Sequence, residues 1–283
     1  MLQGFDDAVV VITGGASGIG RGIALEAAGR GARVAIADVN DARLAETLAE
    51  LQAVGTDSIA VHCDVTSDAE VDALRDEVIE RLGHVDLLCN NAGVAVMGPA
   101  EQVLMEDWEW ILQINVLGIV RMVRAFVPGM LERGTGHVLN TASVAGIWAY
   151  TWDAAPYITS KFAAYGLSEA LARRLHPHGI GVSVLCPGLV TTNLGENARF
   201  SGVPEGQEGQ WLYFPPEMLD PVEPEAVGPL VADAVLAGQF AIFTHAGDAE
   251  LYRTWRTDID ASLAKAVADS PPPPVIPPGT RPA

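Results

Sequence analysis

Basic residues are scarce in this chain. Seventeen lysines and arginines face 36 aspartates and glutamates across 283 residues, a formal charge of −19. Lysine itself occurs only at Lys161 and Lys265. A nucleic-acid surface needs a basic stripe to displace counterions from phosphates, so composition argues against a nucleic-acid partner. Cysteine is as sparse. Cys63, Cys89 and Cys186 are odd in number and lack the close spacing of a zinc site, which points to buried thiols in a reducing cytoplasm. Asp, Arg, Asn, Gly or Pro interrupts every apolar stretch, so none reaches the ~18 to 20 residues that span a bilayer. Residues 1–7 carry two acids and no base, unlike a signal or transit peptide. A cytoplasmic protein with no membrane partner is expected.

Core material is abundant: 49% of residues are hydrophobic and 19% charged, enough to fold rather than stay disordered. No linker of Pro, Gly and Ser divides the chain, which favours one domain. Short β-branched runs alternate with longer amphipathic stretches, the pattern of βαβ units. Strands are expected over residues 8–13, 33–37, 58–63, 85–89, 137–141, 181–186 and 240–243. Helices are expected over 18–30, 41–54, 68–82, 107–133, 155–176, 224–237 and 248–268. Most of the strand runs are apolar on both faces, so the fold class is α/β, a parallel sheet of seven strands with helices on both sides. Ser67-Asp68-Ala69-Glu70 has capping-box spacing. Gly31, Gly55, Gly83 and Gly134 stand where helices should close. Two stretches fall outside the pattern. Residues 193–224, with Trp211, Tyr213 and Phe214, read as a lid or substrate loop. The domain should then run to residue 268, and the tail over 269–283, with four consecutive prolines, reads as solvated polyproline or as a segment packed on a neighbouring subunit.

The first strand run ends in Thr13-Gly14-Gly15-Ala16-Ser17-Gly18-Ile19-Gly20 and passes straight into a helix. Glycines allow the sharp turn and the close approach of a pyrophosphate, and the helix start offers free N–H groups and positive charge. Gly14, Ser17, Gly18, Ile19 and Gly20 are therefore candidate dinucleotide-binding residues. Asp38 ends the second strand run, 18 residues after Gly20, where an acid accepts hydrogen bonds from ribose hydroxyls. Neither Val39 nor Asn40 supplies a base, and Arg33 lies at the other end of the strand, so NAD is favoured over NADP. A solvated turn aspartate is the alternative. Asp64 and Val65, after the third strand, bound the adenine or simply begin the next helix.

Lys161 follows Tyr157 by four residues, which on a helix puts both side chains on one face. A phenol of pKa ~10 needs its pKa lowered by roughly 2 to 3 units for acid–base work near neutrality, and an ammonium supplies a field of that sign. Ser143, at the end of the fifth strand run, is placed to hold a substrate oxygen or to cap a turn. Asn115, inside a long helical stretch, has either a polar task or the place of a satisfied core amide. His176 and His178 read as residues capping a helix end, and no metal is expected.

Taken together these residues resemble the classical short-chain dehydrogenase/reductase family over about residues 5–265. The resemblance rests on Thr13-Gly14-x3-Gly18-x-Gly20, Asn90-Asn91-Ala92-Gly93, Asn115, Ser143, Tyr157-x3-Lys161 and Pro187-Gly188-x-Val190-x-Thr192. It implies a secondary alcohol or ketone oxidoreductase on a single Rossmann-like, doubly wound parallel sheet, in which Tyr157 is the acid/base and Ser143 orients the substrate oxygen. Lys161 would lower the tyrosine pKa and bind the nicotinamide ribose, and Asn115 would hold a water in a proton relay. Asn91, Ala92 and Gly93 would line the adenosine side, and Pro187, Gly188, Val190 and Thr192 the nicotinamide. The resemblance also implies a homotetramer, or else a homodimer, built through the two long helices.

The Ser143 to Tyr157 interval is 14 residues, one longer than the family pattern, and carries Trp148, Tyr150 and Trp152. Tyr150 cannot replace Tyr157, because Ala154 stands four residues after it, and Ala142 replaces a frequent second serine. Trp148, Trp152 and Trp211, with Tyr213 and Phe214, suggest a bulky apolar or aromatic small-molecule substrate, with core packing as the competing explanation. Arg199 is a candidate for a substrate carboxylate. An NADPH-dependent reductase and a catalytically idle nucleotide-binding regulator are the competing functions; the intact Tyr157, Lys161, Ser143 and Asn115 argue against the latter.

Overall fold

The structure, a computed structural model, describes residues 2–202 and 220–269. Trp211, Tyr213, Phe214 and the proline-rich residues 270–283 lie outside the described residues. Val9-Val10-Val11-Ile12 has no polar side to show water, and it forms β1 (Val9–Thr13) in the middle of the sheet. Around it stand β2 (Arg33–Asp38), β3 (Ile59–His62), β4 (Leu87–Asn90), β6 (Gly136–Thr141), β7 (Ile180–Cys186) and β9 (Ala241–Phe243), in the order β3-β2-β1-β4-β6-β7-β9. Every pairing is parallel. Side-chain alternation feeds two cores. Val10, Ile12, Val34 and Ile36 meet α1 (Gly18–Gly29), α2 (Asp41–Val54) and α7 (Pro224–Leu236). Val9, Val11, Ala35 and Ala37 meet α3 (Asp68–Leu82), α5 (Gly118–Arg133) and the end of α6 (Ala155–Leu175). The strand order reverses at β1, which lies between β2 and β4, so the carboxyl ends of β1 and β4 open the crevice where such sheets hold ligands.

Several boundaries differ from expectation for local reasons. The single helix expected over 107–133 is α4 (Met105–Leu112), a π-helical turn (Gln113–Leu117) and α5. The expectation that no stretch is apolar enough to span a bilayer does not hold for residues 105–133 by length and composition. Here Ile111, Ile119, Met122, Phe126 and Met130 turn that apolarity into the cores beside the sheet. The helix expected over 248–268 breaks at Asp258, which is extended; α8 (Asp248–Thr257) stops there, and the Asp258 carboxylate accepts from Ala261 N to start α9 (Ile259–Asp269). The capping box is half formed. Ser67 accepts from Glu70 N at 3.3 Å, but Glu70 reaches past Ser67 to Asp64 N at 2.8 Å. A further two-stranded sheet, β5 (Val96–Met97) with β8 (Arg199–Phe200), had no signal in the sequence because each strand is only two residues long.

His137 sits in β6 directly opposite Gly181 of β7, fully buried. A Cβ at Gly181 would come within 2.3 Å of the imidazole, so only glycine leaves room for it. Nε2 meets Ser183 Oγ at 2.9 Å, and burial lowers the His137 pKa to about 4. Unfolded, the same ring titrates near ~6.5, so it contributes stability above that pH, and the contribution is lost as pH falls from about 6.5 toward 4. The expected size is about 3 kcal/mol at most, from ~1.4 kcal/mol per pH unit. His137→Phe should flatten the fall in unfolding midpoint between pH 6.5 and 4 in urea titrations; an unchanged slope would place the acid sensitivity elsewhere.

Candidate active site

The glycine turn is built by steric necessity. A Cβ at Gly20 would lie 2.1 Å from the Gly14 carbonyl oxygen and 2.6 Å from Asn91 Nδ2, and one at Gly15 would strike Ile36 at 2.8 Å. Gly14 and Gly18 have φ of 62° and 50°. Helix α1 begins with no side-chain cap from Ser17 and no acid in its first turn, which leaves its first N–H groups and its positive end for an anion. These features fit the pyrophosphate of a dinucleotide. Ile19 packs on the core beneath the turn.

Asp38 ends β2 against the same turn, with Oδ2 accepting from Ala16 N at 3.3 Å and Oδ1 from Asn40 N at 3.1 Å. Asp64 accepts from Thr66 N at 2.8 Å, and Val65 is buried against Gly118. The turn after β4 is tied to β1 through the Thr13 hydroxyl and the Asn91 amide. Thr13 Oγ1 accepts from Asn91 N at 3.0 Å and Ala92 N at 3.1 Å, while Asn91 Nδ2 donates to the Thr13 and Gly14 carbonyls, both at 3.2 Å. A Cβ at Gly93 would lie 3.3 Å from Asn115 Oδ1 and 3.4 Å from Lys161 Nζ. At that glycine the turn after β4 therefore comes close to the helix that carries Tyr157 and Lys161.

Asn115 lies in the π-turn, where it accepts from Val94 N at 2.9 Å and donates to Val94 O at 2.9 Å and Ser160 Oγ at 3.0 Å. Both side-chain N–H groups are thus committed. Tyr157 and Lys161 are buried on α6, with Nζ 5.6 Å from the phenol ring centroid and donating to Thr141 O at 3.0 Å. Burial raises the Tyr157 pKa, and a hydrogen bond with Ser143 opposes it. Burial lowers the Lys161 pKa to about 8. The counter-force expected from the ammonium is supplied in this geometry by the Ser143 hydroxyl, because Nζ lies over the ring and bonds a carbonyl instead of the phenol oxygen.

Ser143 begins a 3-10 turn (Val144–Gly146), accepting from Ala145 N at 3.1 Å and donating to Pro187 O at 3.4 Å. Gly188 N donates to Thr244 Oγ1 at 3.0 Å, Val190 is buried and bridged to Val222, and Thr192 packs against Gly18. Trp148 is buried with its ring 6.2 Å from Tyr150 and 5.9 Å from Trp255 of α8. Trp152 is half-buried beside them in sequence. Arg199 is not free for a substrate carboxylate: it pairs with Asp107 at 2.8 Å and lies 3.7 Å over the Trp110 ring.

A family model described as short chain dehydrogenase matches residues 8–201. The chain is 35% identical over 232 residues to an L-2,3-butanediol dehydrogenase of Corynebacterium glutamicum, covering 79% of this chain and 90% of that one. It is similar to a solved short-chain dehydrogenase/reductase from Burkholderia phymatum in complex with NAD: TM-score 0.80, 32% identity, 98% of this chain and 100% of the other. It is also similar to an actinorhodin polyketide ketoreductase variant with NADPH: TM-score 0.75, 33% identity, 87% and 98% coverage. The chain belongs to the short-chain dehydrogenase/reductase family. As a member it is an NAD(P)-dependent oxidoreductase acting on CH–OH groups.

Four features of this short-chain dehydrogenase/reductase escaped the sequence. Ser160 is bound to Asn115, Trp255 joins Trp148 from more than 100 residues away, and Arg43 stands near the glycine turn. Thr13 was visible as part of the glycine motif, but its joining role was not. Thr13→Val removes the acceptor of two main-chain N–H groups. It should lower unfolding free energy by about 1 to 3 kcal/mol in urea titrations, since a buried donor left unpaired costs that much; a loss below 0.5 would mean that water replaces the hydroxyl, with ~0.5 kcal/mol the scale of an ordinary surface change.

Proposed function

We propose that the protein oxidises a secondary alcohol, or reduces the matching ketone, with NAD as the favoured cofactor. The observation that carries the reading is the buried Tyr157 beside Lys161 on α6, with Nζ over the phenol ring and bonded to the Thr141 carbonyl at the carboxyl end of β6. Gly14, Ser17, Gly18, Ile19 and Gly20 would hold the pyrophosphate. Asp38, Asp64, Val65 and the Asn91 to Gly93 turn would take the adenosine, and Pro187, Gly188, Val190 and Thr192 the nicotinamide. Bound nicotinamide supplies the hydride acceptor. Ser143 orients the substrate hydroxyl and opposes the rise in the Tyr157 pKa, Tyr157 takes the substrate proton as the carbinol hydrogen departs, and Lys161 binds ribose. Asn115 holds Val94 and Ser160. Any relay water it keeps would use its main-chain carbonyl, because its amide donors are taken.

Asp38 supports NAD: its carboxylate faces Ala16 N and Asn40 N, where a 2′-phosphate would meet like charge. Trp148, with Tyr150 and Trp255, builds an aromatic wall directly after the Ser143 turn, which supports a bulky apolar or aromatic alcohol; Trp152 follows in the same segment, and Trp211 lies outside the described residues. Residues 193–224 serve as the substrate loop in this reading. A homotetramer built through α5 and α6 is supported by exposed apolar side chains at Leu117, just before α5, and Phe162 on α6, at 40% and 43% exposure. A cytoplasmic location agrees with the cysteines: burial pushes the Cys63 and Cys186 thiols up to about 12, so they stay protonated and unreactive.

A panel of aryl carbinols, hydroxysteroids and small diols, followed by NADH absorbance, tests the activity and its substrate class. Tyr157→Phe should lower kcat by roughly 10³-fold with NADH affinity retained. Turnover surviving in that variant would mean another group moves the proton. Ser143→Ala removes the bond that lowers the Tyr157 pKa, so kcat/KM for oxidation should rise with pH at higher pH than in wild type. An unmoved profile would remove Ser143 from the ionisation. Phe162→Asp should reduce the mass seen by light scattering to that of a smaller assembly; an unchanged mass would place the contact elsewhere.

A further inference from the structure

Two guanidinium groups stand beside the glycine turn, and their partners differ. A cavity of about 390 Å³ there is lined by Ala16, Ser17 and Gly18, by Arg21 and Arg43, and by Thr192. Arg21 is held from both sides, by Glu50 at 2.5 Å and Glu225 at 2.9 Å. Arg43, on the first turn of α2, pairs with Glu196 at 2.9 Å, across 153 residues of chain.

Arg43 belongs to the same patch as the ribose acid. Its main-chain N–H donates to Asn40 Oδ1 at 3.1 Å, Asn40 N donates to Asp38 Oδ1 at 3.1 Å, and Asp38 Oδ2 accepts from Ala16 N of the turn at 3.3 Å. Glu196 arrives from the other side. It lies on a 3-10 turn (Asn193–Asn197) that follows Thr192, and Thr192 is packed so closely on Gly18 that a Cβ there would lie 3.0 Å from its methyl carbon. The segment thus crosses the glycine turn and ends on Arg43.

We propose that Glu196 is a cofactor-specificity residue: its carboxylate occupies Arg43 and withholds that guanidinium from a phosphate on the ribose 2′ position. The inference rests on the reading of Asp38 as the ribose acid and deepens it. A guanidinium matches the geometry of phosphate, so an unengaged Arg43 would offset the repulsion from Asp38. With Glu196 in place the Arg43 charge is matched by a carboxylate, and Glu46, Glu50, Glu223 and Glu225 along the same cavity outnumber its two guanidiniums, so a 2′-phosphate gains no net attraction. The pair is partly exposed, with side chains at 36% and 64%, so a neutral substitution frees Arg43 without opening the core.

NADH and NADPH fluorescence titrations at one ionic strength, on wild type, Glu196→Gln, Arg43→Gln and the double variant, test this directly. Glu196→Gln should tighten NADPH by about five- to tenfold and change NADH by less than about twofold. The gain should vanish in the double variant. An unchanged NADPH affinity in Glu196→Gln, with an NADH-preferring wild type, overturns this proposal alone, as does a gain that persists without Arg43. A wild type that binds NADPH more tightly than NADH overturns the Asp38 reading, and this proposal with it.

Discussion

Lys161 carries an ammonium into a place almost closed to water, where it donates to the Thr141 carbonyl at the end of β6. The burial is enforced by how closely α6 approaches the turn after Ser143: a Cβ at Gly146 would lie 2.5 Å from the Lys161 carbonyl oxygen. That contact brings the Tyr157 phenol to the Ser143 hydroxyl and sets the ammonium over the ring. It also makes the charge precarious, since burial lowers the lysine pKa to about 8 and raises that of the tyrosine. A site arranged this way has a charge balance sensitive to small changes in polarity, as acid–base chemistry requires.

The parallel sheet delivers the other half of the site. Because its order reverses at β1, the turns after β1 and β4 face one crevice, and the Thr13 hydroxyl and the Asn91 amide join them. Gly93 then brings the β4 turn within reach of both Asn115 and Lys161. The π-turn at residues 113–117 lets the Asn115 amide clasp Val94 from both sides. The turns after β1 and β4, Asn115 and Lys161 are thus parts of one hydrogen-bonded frame, in which main-chain groups do most of the holding.

The legible parts were those with local causes. All seven sheet strands could be read from their mostly apolar runs, and the glycine turn after β1 and the shared helix of Tyr157 and Lys161 from their spacing. Misses came where a distant partner decides. Asp258 breaks a helix that periodicity carries through. Glu70 prefers the Asp64 N–H to its own cap. Arg199 looks free in sequence but is held by Asp107, 92 residues away. Arg33 was weighed as the nearest cation to Asp38 because strands were read along their length, whereas Arg43, on the first turn of α2, donates its main-chain N–H to Asn40 next to Asp38.

Hydrophobic alternation, glycines and a helical spacing of four are properties of neighbouring residues. For that reason the sequence alone determined the α/β architecture, the glycine turn after β1 and the placing of Tyr157 and Lys161 on one helix. The environment of that pair, the commitment of Asn115, the aromatic company of Trp148 and the pairing of Arg43 with Glu196 were decided only by tertiary structure. Each depends on burial or on a contact between segments far apart in the chain, and such energies exist only once the sheet has brought those segments together.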